Sequence, residues 1–293
     1  MMAKTTATSV IRGAASTTTA APGVSVLARL LANSRPLIMG VLNVTPDSFS
    51  DGGHFLQPAT AIEHARRLIA EGADIVDVGA ESTRPYGGAV PVTLEEERER
   101  LARILPAVID LGVPVSIDTL KAPIAAWALD AGAAIVNDVW GLQRDRDMAR
   151  VVADHGAPII IMHNRESADP SIDIVADVSE FFARSLEIAS NAGIGLDRIV
   201  LDPGIGFGKT PEQSITCIAR LDAWRNFNLP LMVGASRKRF IDSIVRSEPM
   251  ERLGGSLAAH LFAVGHGAAI IRVHDVGPTV QALAVARAIE RVR

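Results

Sequence analysis

The sequence holds a single cysteine, Cys217, so no disulfide can form within the chain, which suits a reducing compartment and a cytoplasmic location. That residue lies in the helix-like stretch EQSITCIARL with no histidine or other base near it in sequence. It reads as a small buried apolar side chain rather than a nucleophile. Excess positive charge is also missing. The formal net charge is -4 at pH 7 and the basic residues are scattered, so no field would attract nucleic acid. Apolar runs such as APIIIM are far too short to cross a bilayer, so no membrane partner is expected. Acidic residues are absent from residues 1–34, which are rich in Ala, Ser and Thr. This composition overlaps that of transit peptides, but Lys4, Arg12 and Arg29 are few for one. The stretch reads as a poorly ordered or partly helical extension ending in the short helix SVLARLLANS. Several motifs are missing as well: His-x-x-x-His, a Cys cluster, Gly-x-Ser-x-Gly and Gly-x-x-x-x-Gly-Lys-Ser/Thr. Their absence removes support for a zinc site, a serine hydrolase and a P-loop nucleotidase.

What is present is a large apolar fraction, 48% against 21% charged, enough for one extensive core in 293 residues. From Pro36 onward short apolar runs alternate with longer amphipathic segments. Such alternation marks α/β architecture with parallel strands buried on both faces. The runs are LIMGVLN from Leu37, ADIVDVGA from Ala73, VPVSID from Val113, AAIVND from Ala133, APIIIMH from Ala157, RIVLD from Arg198, LPLMVGAS from Leu229 and AAIIRVH from Ala268. Between them, TAIEHARRLIAEGA sets Ile62, Ala65, Leu68 and Ile69 on one stripe, and LEEERERLARILPAVIDLGV reads as one helix with an acidic first turn. Eight such units predict a single-domain (β/α)8 TIM barrel over residues 35–293. The Gly-rich GIGFGK follows a late strand with the wrong spacing for a dinucleotide fold.

In such a barrel the chemistry gathers at the C-terminal ends of the strands. Those ends read Asn43; Glu81 with Ser82, Thr83 and Arg84; Asp118; Asn137 and Asp138; Met162 and His163; Asp202; Ser236, Arg237 and Lys238; and Arg272 with His274. One polar residue at one strand end is unremarkable, because it can cap the next helix. A hydrogen-bonding group at all eight is not. Asp118, Asn137 and Asp202 form an acceptor-rich set suited to a ring with paired donors and acceptors, such as an aminopyrimidinone. Arg84, Lys238, Arg272 and His274, with the Ser236 hydroxyl, form a second set suited to phosphate. The mouth thus divides into a ring-binding half and an anion half, and Arg272→Ala is expected to cripple turnover while sparing a phosphate-free ring. His163 stands apart, a lone histidine that is more often structural than catalytic. Mg2+, which needs one or two protein oxygens beside phosphate oxygens, is easy to place at Asn43.

These residues resemble those of dihydropteroate synthase, the folate-pathway enzyme that sulfonamides inhibit. The segments carrying the resemblance are GVLNVTPDSFSDGG from Gly40, DVGAESTRP from Asp77, VSIDT from Val115, NDV from Asn137, LDPGIGFGK from Leu201, GASRKRF from Gly234 and RVHDV from Arg272. The resemblance implies condensation of 6-hydroxymethyl-7,8-dihydropterin pyrophosphate with 4-aminobenzoate to 7,8-dihydropteroate and pyrophosphate, with Mg2+ as cofactor and a homodimer as the working form. It implies a pterin pocket of Asp118, Asn137, Asp202 and Lys238 walled by Met162 and Phe207. Mg2+ would sit on Asn43 and pyrophosphate on Arg272 and His274. Thr83, Arg84, Pro85 and Ser236 would lie near aminobenzoate, with Phe49 closing over it. Asp118, Asp202, Lys238, Arg272, Asp47 and Asp51 would be the catalytic set. Two places depart from the family pattern: Tyr86 stands after Pro85, where Gly is usual, and MHNRE replaces MHMQG. The alternatives are a pterin-binding methyltransferase domain using methyltetrahydrofolate, a non-catalytic pterin binder, and a Schiff-base aldolase on Lys238. The first has no reason to keep SRK and RVH, the second no reason to keep Asn43, Arg84, Lys238 and Arg272. In the third, Arg237 and Arg239 would sit poorly beside a desolvated amine.

Overall fold

A computed structural model describes residues 25–32, 35–44, 58–81 and 92–292. Among them eight parallel strands close into a barrel in sequence order, with β8 paired back to β1. They are β1 (Leu37–Asn43), β2 (Ile75–Gly79), β3 (Val115–Asp118), β4 (Ile135–Asp138), β5 (Ile159–Met162), β6 (Ile199–Asp202), β7 (Leu231–Val233) and β8 (Ala268–Val273). Each falls within its predicted apolar run. A strand covered by a helix outside and by the barrel core inside has no polar face, so it reads as continuous hydrophobicity.

The helices are α1 (Val26–Leu31), α2 (Pro58–Ala70), α3 (Leu94–Ala102), α4 (Leu105–Ile109), α5 (Ala122–Asp130), α6 (Met148–Asp154), α7 (Ile174–Asn191), α8 (Pro211–Ala219), α9 (Arg239–Ile244), α10 (Leu253–Gly265) and α11 (Val276–Glu290). None is long and apolar enough to cross a membrane. The segment read as one helix from Leu94 to Gly112 is two, α3 and α4, broken at Arg103 and Ile104. Pro106 is the cause: it has no N–H to donate and its ring would collide with the carbonyl of Ala102, so it is tolerated only in a first turn.

The barrel interior is layered. Met39, Ile75, Ile135, Ile160, Val200, Met232 and Ile270 pack into one apolar cluster with Leu27 of α1. Ser25 caps α1, its Oγ accepting from the Ala28 N–H at 3.1 Å and donating to the Asp197 carbonyl at 3.3 Å, which fixes the helix across the N-terminal end of the barrel. The predicted boundary at residue 35 therefore leaves out a helix that fills the barrel floor. Two residues farther along the same strands, on the same inward side, stand Asp77, Asn137, Met162, Asp202, Gly234 and Arg272. The layer above the floor is the functional one. Cys217, fully buried on α8, belongs to the outer core between barrel and helices, and burial pushes its thiol up to about 11.

Candidate active site

Asp118, Asn137, Asp202, Lys238 and Arg272 share one pocket, walled by Val139, Met162, Ile205 and Phe207. Of the residues predicted from the strand ends, these five are brought together with both apolar walls, Met162 and Phe207. The apolar side is a cluster of its own, Val139 with Met162 and Phe207, and the Lys238 ammonium lies 4.0 Å from the centre of the Phe207 ring. An aromatic face topped by a cation and faced by carboxylates suits a flat polar heterocycle.

The two predicted halves of the mouth are not separate. Arg272 reaches from β8 across the end of the barrel, its Nε donating to Asp77 Oδ2 at 2.6 Å and its Nη2 to Asp118 Oδ2 at 2.7 Å. Asn137 Nδ2 donates to the same Asp77 oxygen at 3.1 Å. The residue assigned to the anion thus orients the residues assigned to the ring, because an arginine side chain is long enough to bridge neighbouring strands. Asp77 is the residue the sequence reading passes over. It is fully buried in the middle of β2, and the available signal was a lone carboxylate inside the apolar run IVDVG.

Charge in this pocket is unbalanced in favour of the acids. One guanidinium between Asp77 and Asp118 can neutralise only one of them. Burial pushes the Asp118 carboxyl up to about 7 against the pull of Arg272, with Asp77 and Glu97 adding to the rise. Burial likewise raises Asp202 to about 6, although the Gly204 N–H donates to its Oδ1 at 2.7 Å and Lys238 and Arg272 pull the other way. Arg272, held by carboxylates, is raised from its ordinary value. Three buried oxygens, Asp77 Oδ1, Asp118 Oδ1 and Asn137 Oδ1, have no hydrogen-bond partner among the described residues. Each such acceptor costs about 1–3 kcal/mol while it stays unmade. The pocket is therefore built to accept N–H donors from something it binds.

The remaining predicted residues fall in different places. Ser236 Oγ lies 3.0 Å from His274 Nδ1 and accepts from the His274 N–H at 3.3 Å, tying the loops after β7 and β8 together. Arg237, in the left-handed region at φ 58°, turns away from Lys238 and holds Asp275 in a bidentate pair at 2.6 and 3.0 Å, so its charge serves that tie. Asn43 ends β1, half-buried, opposite Gly79. Its amide oxygen is a hard donor of the kind Mg2+ takes. Among the described residues no group of three or more His, Cys, Asp or Glu side chains could cage a metal. One protein oxygen fits a cation that draws its other ligands from water and phosphate. Asp47, Phe49 and Asp51, and likewise Thr83, Arg84, Pro85 and Tyr86, lie outside the described residues. In the divergent segment after β5, Asn164 Oδ1 accepts from the Arg165 N–H at 2.8 Å and Arg165 Nη1 pairs with Asp177 at 2.7 Å. His163 is buried and its Nε2 faces Asp177 Oδ2 at 2.9 Å, in keeping with a structural histidine.

The comparisons with known proteins converge on this site. Residues 39–274 match the model of the family described as pterin binding enzyme. The dihydropteroate synthase of Synechocystis sp. is 43% identical over 265 residues, spanning 88% of this chain and 91% of that relative. Among solved structures, a Clostridium difficile dihydropteroate synthase crystallised in the presence of pteroic acid aligns with a TM-score of 0.84 at 42% identity, over 88% of this chain and 98% of its own. The Xanthomonas albilineans dihydropteroate synthase with 4-aminobenzoic acid aligns with a TM-score of 0.84 at 41% identity, over 89% and 95%. The layered barrel, the acceptor-rich pocket and these matches agree, and the chain belongs to the dihydropteroate synthase family of pterin-binding enzymes.

Proposed function

We propose that this protein condenses 6-hydroxymethyl-7,8-dihydropterin pyrophosphate with 4-aminobenzoate, giving 7,8-dihydropteroate and pyrophosphate. The observation that supports it best is the set of buried oxygens on Asp118 and Asn137 that have no partner among the described residues, beside the aromatic wall of Phe207. The aminopyrimidinone edge of a pterin offers adjacent N–H donors, and a carboxylate receiving them makes a charge-assisted contact. Ring binding would thus give these acceptors their donors.

The reaction follows from where the charges stand. The bond between the pterin methylene carbon and the pyrophosphate oxygen breaks, leaving a methylene cation that the electron-rich pterin and the Asp202 carboxylate stabilise. The amine nitrogen of 4-aminobenzoate then bonds to that carbon and releases a proton. The substitution is SN1-like, with no covalent enzyme intermediate, and the protein's work is positioning and electrostatic stabilisation. Arg272, with 18% of its side chain exposed, together with Lys238 and His274, faces the charge building on the leaving group. Asn43 would hold Mg2+, which when bound supplies further neutralisation of the pyrophosphate. Ser236 would serve the aminobenzoate, and the family resemblance assigns Thr83, Arg84, Pro85 and Phe49 to the same substrate and Asp47 and Asp51 to catalysis.

The enzyme acts in the cytoplasm as a homodimer through the outer barrel helices. In support of the dimer, Phe262 of α10 and Val285 and Ile289 of α11 are exposed apolar side chains. The experiment is direct. Purified protein with Mg2+, dihydropterin pyrophosphate and labelled 4-aminobenzoate is expected to yield labelled dihydropteroate and pyrophosphate in equal amounts. Release of neither product overturns the reading.

A further inference from the structure

A buried cation outside the predicted set underlies the pterin pocket. Lys209, only 1% exposed, ends the loop GIGFGK, and its Nζ donates to the carbonyls of Gly204 at 3.0 Å and Phe207 at 3.1 Å. Its third neighbour is His163 Nδ1 at 2.6 Å. Burial holds the imidazole down at about 4, so it is neutral, and the Asp177 carboxylate at Nε2 fixes the proton there. The Nδ1 lone pair is then left to accept from the ammonium. The chain of contacts runs from Asp177 through His163 to Lys209, and from Lys209 to two peptide groups of the loop.

Those two peptide groups belong to residues that shape the pocket. Gly204 donates its N–H to Asp202 Oδ1 and gives its carbonyl to Lys209. Phe207 gives its carbonyl to Lys209 and its ring to the pocket wall under Lys238. The loop reaches this path only with glycine. Gly204 sits at φ 66°, where an added Cβ would come 1.9 Å from the His163 carbonyl oxygen. The segment after β5 and the loop after β6 are therefore packed together around one ammonium.

We propose that Lys209 is a positioning residue for pterin binding, its protonated amine acting as the post around which residues 203–208 are wrapped so that Asp202 and Phe207 face the ring correctly. The inference deepens the synthase reading and rests on it. An ammonium has three N–H bonds for three acceptors. A neutral amine has two and a lone pair, which would face one of the acceptors and loosen the loop. Burial lowers the Lys209 ammonium to about 8, within reach of ordinary assay conditions. The charged or titratable groups around it are Asp177 and Arg165 beside His163, Asp202 on β6 and Cys217 on α8.

The test uses the full-length protein and a phosphate-free dihydropterin. In the wild type, binding is expected to weaken up to about tenfold between pH 7.5 and 9.5, as a group near 8 passes from mostly protonated to almost fully neutral. Lys209→Met should bind about tenfold more weakly at pH 7.5 and lose the alkaline limb, which a residue with a purely structural role would leave in place. Should Lys209→Met fail to fold, the wild type still decides. Lys4, Lys121, Lys209 and Lys238 are the chain's only lysines, so ε-carbon NMR can follow each one. A Lys209 signal that titrates with the same midpoint as binding supports the proposal. Flat binding across that range, or a binding limb whose midpoint differs from that of Lys209, overturns it. Absence of pterin binding at every pH would instead overturn the synthase reading, which keeps the two failures distinct.

Discussion

Two layers of the barrel interior, separated by two residues on the same strands, are built on opposite principles. In the lower layer Ile75, Ile135, Ile160, Val200 and Ile270 fill the space with Leu27 of α1 as one apolar cluster. In the upper layer the same strands present Asp77, Asn137, Met162, Asp202 and Arg272, and several buried oxygens have no partner among the described residues. The lower layer holds the fold together by burying apolar surface. The upper layer is held in place by the lower one and by Arg272, and it presents acceptor oxygens toward the pocket. One scaffold thus supports a site that is locally unfavourable without breaking the fold.

The contrast is broken most severely at Arg272. Arg272→Met leaves Asp77 and Asp118 buried without their shared guanidinium, and should lower turnover by about 10³-fold, a scale reached when one preorganised electrostatic partner is lost. It should also weaken a phosphate-free pterin by ~10- to 100-fold, because truncating one partner of a buried charge pair costs about 2–5 kcal/mol, part of which falls on ring binding. Steady-state kinetics and calorimetry give the two numbers. Unchanged pterin affinity would restore the division into halves that the sequence suggests.

A change confined to the lower layer should do the reverse. Ile160→Ala is expected to cost about 2–5 kcal/mol of unfolding free energy by denaturant titration, through lost burial and the cavity left behind. KM for both substrates should stay within about twofold, since rigid neighbours transmit little of a cavity two residues below the site. If KM rose as steeply as stability fell, the layers would not be independent.

A smaller effect sharpens the electrostatic side. The folded, ligand-free protein keeps a proton on Asp118 up to about 7, whereas the unfolded chain gives it up near the ordinary carboxylate range. The folded state therefore binds more protons across that interval, and stability falls as pH rises through it. Asp118→Asn has no such proton and should show a shallower loss between about pH 4 and pH 7, with Asp202 supplying part of what remains. Equal slopes in thermal unfolding would mean that Asp118 is ionised throughout. Pterin donors favour the ionised carboxylate, so ring binding should strengthen over the same range.

Much of this was legible in the sequence, and the parts that were not share a cause. Buried parallel strands announce themselves as apolar runs, so all eight were found, and a polar residue closing such a run marks the mouth, which gave Asp118, Asn137 and Asp202. Asp77 escapes this signal because it lies inside its apolar run rather than at the strand end. The bond from Arg272 to Asp118 joins residues 154 positions apart through a long side chain, and no spacing rule encodes it. Nothing in the spacing of GIGFGK marks Lys209, whose role comes from its burial and from two backbone carbonyls that a sequence pattern does not encode. The helix break before Pro106 was readable, and the stronger amphipathic pattern around it concealed the signal.

The account stands most directly on what the unpartnered oxygens bind. A crystal structure with a phosphate-free dihydropterin should place the ring against Phe207 and Met162, with N–H donors about 2.7–3.2 Å from Asp118 Oδ1 or Asn137 Oδ1. A ring bound elsewhere, or bound here with those oxygens still without a donor from it, would contradict the account.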